Sequence, residues 1–131
     1  MNNMNTLVNF EMAKKLKEKG FNERCNSGYW YNKLNPIIIN DATLSNGQKQ
    51  MYDGEKILAL APTISDVVMW IYNTYNIWIS VNMFDYNNKV IFEYILYKNN
   101  INNVDYINKN AIYNSPTEAY LGAIEYILNN D

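Results

Sequence analysis

Histidine is absent from the 131 residues, and cysteine occurs once. Without an imidazole there is no His-based triad, no Cys–His nucleophile and no His-containing metal site. The lone Cys25 can form neither an intrachain disulfide nor a thiolate zinc cluster, so no oxidising compartment is implied. It follows a helix whose C-terminal end is negative, which disfavours a thiolate, and it reads as a small packed residue. Glycine and proline are scarce, with Gly 5 and Pro 3, and neither a Walker loop nor a GxGxxG pattern occurs. No apolar run approaches the ~18–20 residues of a membrane span. The polar start, Met1-Asn2-Asn3-Met4-Asn5, lacks the basic-then-apolar order of a signal peptide. The expectation is a cytoplasmic protein that needs no metal and no cofactor. The net charge of −2 and pI near 5.1 argue against nucleic acid as the main partner.

Aromatic residues are plentiful instead, with Tyr 12, Trp 3 and Phe 4. Asparagine, lysine, isoleucine and tyrosine, all encoded by A/T-rich codons, are abundant, while Arg24 is the single arginine. This bias marks an AT-rich genome. The length suits one domain with its own core.

Thr6 to Lys19 reads as a first helix, stopped by Gly20, with Phe21 folding back over it. Val8, Phe10, Met12, Ala13 and Leu16 supply its apolar side; Lys14, Lys15, Lys17 and Lys19 alternate with Glu11 and Glu18 on a solvated face. Short strands are expected over Gly28 to Lys33 and Pro36 to Asn40. Asn46-Gly47 marks a turn and Asp53-Gly54 a two-residue hairpin. A second helix follows Thr63 as N-cap, with Asp66 completing a capping box. Ile64, Val67, Val68, Ile71 and Tyr75 form its stripe; Met69 and Trp70 lie off it.

In "IWISVNMF", residues 77–84, Ile77, Ile79, Val81 and Met83 share one strand face; Trp78, Ser80, Asn82 and Phe84 share the other. "DYNN" turns the chain into "KVIFEYILY", which reads as a central strand covered on both faces, with Glu93 its polar exception. A polar connection spans Asn99 to Asn110, and "AIYN" is a further edge-strand candidate. Ser115, Pro116 and Glu118 open a last helix through a second capping box. Its core stripe is Tyr120, Ala123, Ile124 and Ile127; Glu118, Gly122 and Glu125 are assigned to the outer face. The class is α+β, with about four to six short antiparallel strands in one sheet and three helices on it.

Three stretches, "AKKLKEKGFNERC" (13–25), "LAPTISDVVMWIYNTYNIWISV" (60–81) and "SPTEAYLGAIEYIL" (115–128), together resemble a group of small uncharacterised proteins of gut Bacteroidetes and their phages. The resemblance spans most of the chain. It implies a setting, a bacterial or phage cytosol, and carries no activity and no site residues. The second half also has the helix–strands–helix order of double-stranded-RNA-binding domains. Glu118 and Glu125 stand where such domains carry lysines, which argues against that role.

The remaining acids have structural explanations as caps, turn residues and solvated helix positions, so a carboxylate-only enzyme is disfavoured. Binding is left. The candidate contact residues are Tyr29, Trp30, Tyr31, Trp70, Trp78, Phe84 and Tyr86, more rings than one sheet face easily hides. The leading expectation is a non-enzymatic phage or mobile-element product that binds and blocks a host macromolecule, with a homodimer as a second use of the same surface. The alternative is a small-ligand binder that stacks a nucleotide between rings, with Arg24, Lys33 and Lys56 as phosphate contacts. A housekeeping role is the third.

Overall fold

The computed structural model describes residues 4, 6–23, 25–32, 35–44, 57–100, 104–109 and 111–130, with backbone alone over 26–32, 35–44 and 57–60. Among the described residues three helices and six strands follow one another: α1 Phe10–Glu18, β1 Cys25–Asn32, β2 Asn35–Leu44, β3 Ile57–Leu60, α2 Ile64–Tyr75, β4 Ile77–Tyr86, β5 Lys89–Asn99, β6 Val104–Ile107 and α3 Pro116–Asn130. The class is α+β with antiparallel pairing throughout, as expected. The strands divide between two three-stranded sheets, ordered β2-β1-β3 and β4-β5-β6. Each sheet belongs to its own compact unit, Leu7–Thr63 for one and Met1–Thr6 with Ile64–Asp131 for the other.

In the first unit α1 begins later than its apolar spacing suggests. Thr6–Lys19 was the expected span, yet Leu7 bridges Thr63 in antiparallel fashion and the Val8 N–H donates to the Pro62 carbonyl at 3.0 Å. The helix starts where Asn9 can cap it, its side chain accepting from the Met12 N–H at 2.8 Å. It ends at Gly20, whose φ of 94° only glycine adopts without strain. The Phe21 N–H reaches the Leu16 carbonyl at 2.9 Å and the Gly20 N–H the Lys17 carbonyl at 3.1 Å, the two bonds of a Schellman stop. Phe21, Leu16, Val8, Met12 and Ala13 are buried, and α1 lies against β3. On the solvated side Lys14 meets Glu11 at 3.8 Å and stands over the Phe10 ring. Cys25 is buried, its thiol donating to the Glu23 carbonyl at 3.4 Å.

β1 is hydrogen-bonded on both sides. Tyr29, Trp30 and Tyr31 stand opposite Ile38, Ile37 and Pro36 of β2. Pro36 falls on an edge strand, the place in a sheet that tolerates a missing donor. The turns expected at Asn46-Gly47 and Asp53-Gly54 lie outside the described residues.

In the second unit α2 and α3 lie against the sheet β4-β5-β6. Two N–H groups in the first turn of α2 are satisfied by backbone: Ile64 donates to the Thr6 carbonyl at 2.9 Å and Ser65 to the Met4 carbonyl at 3.0 Å. Ile64, Val67, Val68 and Ile71 are buried as the stripe requires. Asn76, with φ 59°, turns the chain directly into β4. β4 and β5 pair without a bulge from Ile77↔Lys98 to Tyr86↔Lys89. Asn87 and Asn88, at φ 52° and 63°, form the two-residue turn between them.

The structure differs from the sequence expectation at three places. The polar connection contains β6, which pairs Leu96↔Ile107 and Tyr97↔Tyr106. "AIYN" is not a strand; Tyr113 makes one isolated bridge to Phe92, through bonds of 2.9 and 2.8 Å. Gly122 does not simply face out: a Cβ there would stand 2.6 Å from Cζ of Tyr113. α3 opens as expected, with Ser115 Oγ accepting from the Glu118 N–H at 3.2 Å and donating to Glu118 Oε2 at 3.1 Å. Its buried stripe is Ala119, Ala123, Ile124, Ile127 and Leu128, and α2 and α3 both lie against β4.

Candidate functional site: an aromatic row on an open sheet face

Strict alternation along the β4–β5 register sorts the side chains of the second sheet into two sets. Ile77, Ile79, Tyr94 and Leu96 lie on one face and are buried, with α2 and α3 as their neighbours. Trp78, Phe84 and Tyr86 of β4 and Tyr97 of β5 lie on the other. Register extends that set to Tyr106 of β6, because Trp78 pairs with Tyr97 and Tyr97 with Tyr106. Three large aromatic side chains therefore run side by side across all three strands.

The row is exposed: Trp78 by 43%, Tyr97 by 37% and Tyr106 by 70%. With ~150–250 Å² per aromatic side chain, the three rings offer on the order of 300 Å² to solvent. That is the size at which an exposed patch on a monomer is often functional. Phe84 and Tyr86 lie exposed on the same face toward the hairpin turn. Ile91, the cross-strand partner of Phe84, is buried, so the open surface is not continuous over the whole face.

The rings are also held. Tyr97 and Tyr106 have centroids 6.4 Å apart with planes inclined by 38°. Trp78 is met edge-on by Tyr72 of α2, at 5.8 Å and 89°. Such pairs contribute about 0.5–1.5 kcal/mol beyond burial and restrict the rotamers of the exposed rings. A contact surface that is ordered beforehand loses less entropy on binding.

Trp70, expected off the core stripe of α2, is in fact only 8% exposed and meets Tyr75 edge-on at 5.7 Å. A ring on the flank of the stripe is long enough to reach cover from a helix position that a shorter side chain would leave bare. Its neighbour Met69 is exposed as expected. Met83 reverses the other way: it shares the face of Ile77 and Ile79 but is 66% exposed, because burial along β4 ends after Ile79. Tyr29, Trp30 and Tyr31 belong to β1, and their side chains lie outside the described ones, as do Arg24, Lys33 and Lys56.

Tyr97 and Tyr106 were missed from sequence. "KVIFEYILY" reads as covered on both faces because its apolar residues do not alternate with polar ones. The signal that could have found the row was "VDYI" itself, a short β-prone segment with a β-branched residue at each end and Tyr106 between, inside the asparagine-rich stretch.

Among the described residues no three histidine, cysteine, aspartate or glutamate side chains come together as a metal site, and no helix is long and apolar enough to cross a membrane. Compared with known protein families, with curated proteins and with solved structures, the chain matches none, so the reading of the row rests on its own geometry.

Proposed function

We propose that the chain is a non-enzymatic binding protein and that the Trp78–Tyr97–Tyr106 row is its contact surface for another macromolecule. The observation that carries this reading is the cross-strand registration of three exposed rings on the sheet face opposite the buried one. Tryptophan and tyrosine are the residues that most often dominate interface energetics. In the bacterial or phage setting that the resemblance implies, the partner is a host macromolecule whose activity is blocked when this face covers it.

The row supports this reading better than a nucleotide slot. A base inserted between two rings needs roughly 7 Å between them, twice an optimal contact distance. Tyr97 and Tyr106 stand 6.4 Å apart and side by side on the sheet, which makes a platform for a broad partner.

The test is capture of a partner from a host lysate by the parent protein and by a Trp78→Ala/Tyr97→Ala/Tyr106→Ala variant in parallel. The protein retained only by the parent is then purified and recombined with it. Sedimentation of the parent alone distinguishes a foreign partner from a second copy. A parent that dimerises through these rings and binds nothing else would replace the blocking role with self-association. A partner retained equally by the variant would overturn the assignment of the surface.

A further inference from the structure

The opposite face of the same sheet holds a separate feature. A cleft of about 140 Å³ opens between the strands and the C-terminal end of α3, lined by Ile77, Leu96, Ile107, Ile127, Tyr126, Lys98 and Asn130. Leu96 and Ile127 are fully buried, whereas Lys98 is exposed. An apolar cavity of ~150 Å³ stays dry and accepts a benzene-sized molecule. The cleft has that size but is open on one side; its lining is apolar apart from Asn130, whose side-chain amide is engaged by the Tyr126 carbonyl, and one further exception.

The exception is cationic. Lys98 lies on the lining, and among the described residues it makes no ion pair. A second ammonium group, that of Lys109, lies off the lining, 5.1 Å from the ring centroid of the lining residue Tyr126. Two features oppose them. Asp105 faces Lys98 across the strands, and its carboxylate already accepts the Asn100 side-chain amide at 2.6 Å. The carbonyl end of α3 carries a partial negative charge, of which the Tyr126 carbonyl is satisfied by the Asn130 side chain at 2.7 Å. On the lining itself no carboxylate is found among the described residues, and Lys98 is the charged group there.

We propose that this cleft binds a small aromatic monocarboxylate, its ring between the sheet and α3 and its carboxylate on Lys98. This site is on the face away from the aromatic row, so it stands or falls independently of the proposed macromolecular contact. A charge-assisted hydrogen bond to Lys98 at the open side fixes the orientation, and the apolar walls hold the ring.

Benzoate is the probe, titrated into the full chain while the methyl resonances of Ile77, Leu96, Ile107 and Ile127 are followed. Saturable shifts confined to these methyls are expected. Benzylamine, the same ring with the opposite charge, should bind at least about tenfold more weakly than benzoate. Lys98→Gln, an exposed substitution that leaves the fold intact, should weaken benzoate about tenfold and leave toluene unchanged. Ile107→Trp, at a half-open edge position, should fill the cleft and abolish both. The proposal is overturned if benzoate gives no saturable shifts at these methyls, if benzylamine binds as tightly, or if Lys98→Gln leaves benzoate binding unchanged.

Discussion

Replacing Gly122 by alanine sets two effects of opposite sign against each other. Within α3 the change should help, because glycine in a helix interior costs about 0.8–1.0 kcal/mol relative to alanine. The added Cβ would meet Tyr113 at 2.6 Å from Cζ and 3.0 Å from Cε1, well inside contact distance. The Tyr113 ring has poor alternatives. Its backbone is tied to Phe92 by two hydrogen bonds, and its ring lies against the buried Tyr94, centroids 6.1 Å apart. Moving it aside exposes the Tyr94 contact, and overpacking of this kind costs about 1–3 kcal/mol. The steric effect wins, and Gly122→Ala should destabilise by about 1 kcal/mol net. Urea denaturation followed by far-ultraviolet circular dichroism reads this as a lower midpoint at unchanged slope. The mechanism has a sharper signature in a double-mutant cycle. In a Tyr113→Ala background the three atoms nearest the new Cβ are gone, so Gly122→Ala should stabilise by about 1 kcal/mol. The sign reversal corresponds to a coupling of about 2 kcal/mol, within the range for residues in contact. A Gly122→Ala protein that is more stable than the parent would show that the ring yields freely, and would refute the claim that it is fixed by Phe92 and Tyr94.

Two further predictions concern the same unit. Ser115→Ala removes the acceptor for the Glu118 N–H and should cost about 0.5–2 kcal/mol, read from the denaturation midpoint; an unchanged midpoint would mean that solvent caps α3 equally well. Burial raises the Tyr94 hydroxyl to about 12, with Tyr113 and Tyr126 adding to the effect. The folded protein therefore holds this proton more tightly than the unfolded chain, whose tyrosines titrate near 10. Stability from Tyr94 is fully present below pH ~10 and declines as pH rises from there through about 12, by on the order of 2 kcal/mol. Tyr94→Phe should flatten that part of the stability–pH curve; a variant as alkali-sensitive as the parent would place the effect elsewhere.

Local signals were readable wherever one residue type has one physical use. Gly20 and Phe21 ending α1, Asn87-Asn88 turning the hairpin, and Ser115-Pro116-Glu118 opening α3 all follow from backbone chemistry confined to a few residues. Start positions set by distant chain segments were not readable. α1 begins at Phe10 because Leu7 and Val8 are tied to Thr63 and Pro62, residues more than fifty positions away in the chain. The division of the strands between two sheets is likewise a matter of long-range pairing, which alternation within a strand does not encode. Part of the candidate surface was legible: Trp78 and Phe84 share a face by alternation alone. Its extension to Tyr97 and Tyr106 needed the register between strands. Trp70 shows the converse, since helical spacing sets a direction from the axis and does not say how far a large ring reaches.

The most direct test of the proposed contact surface is the dissociation constant for the reconstituted partner, measured for the parent and for the Trp78→Ala/Tyr97→Ala/Tyr106→Ala variant. Removing exposed rings leaves the buried face of the sheet intact, so the variant should remain folded. Loss of anchoring aromatic residues of this kind costs at least about 2 kcal/mol, or roughly thirtyfold in affinity. The account predicts a folded variant whose affinity falls by that factor or more. A folded variant that binds the partner as tightly as the parent would contradict it.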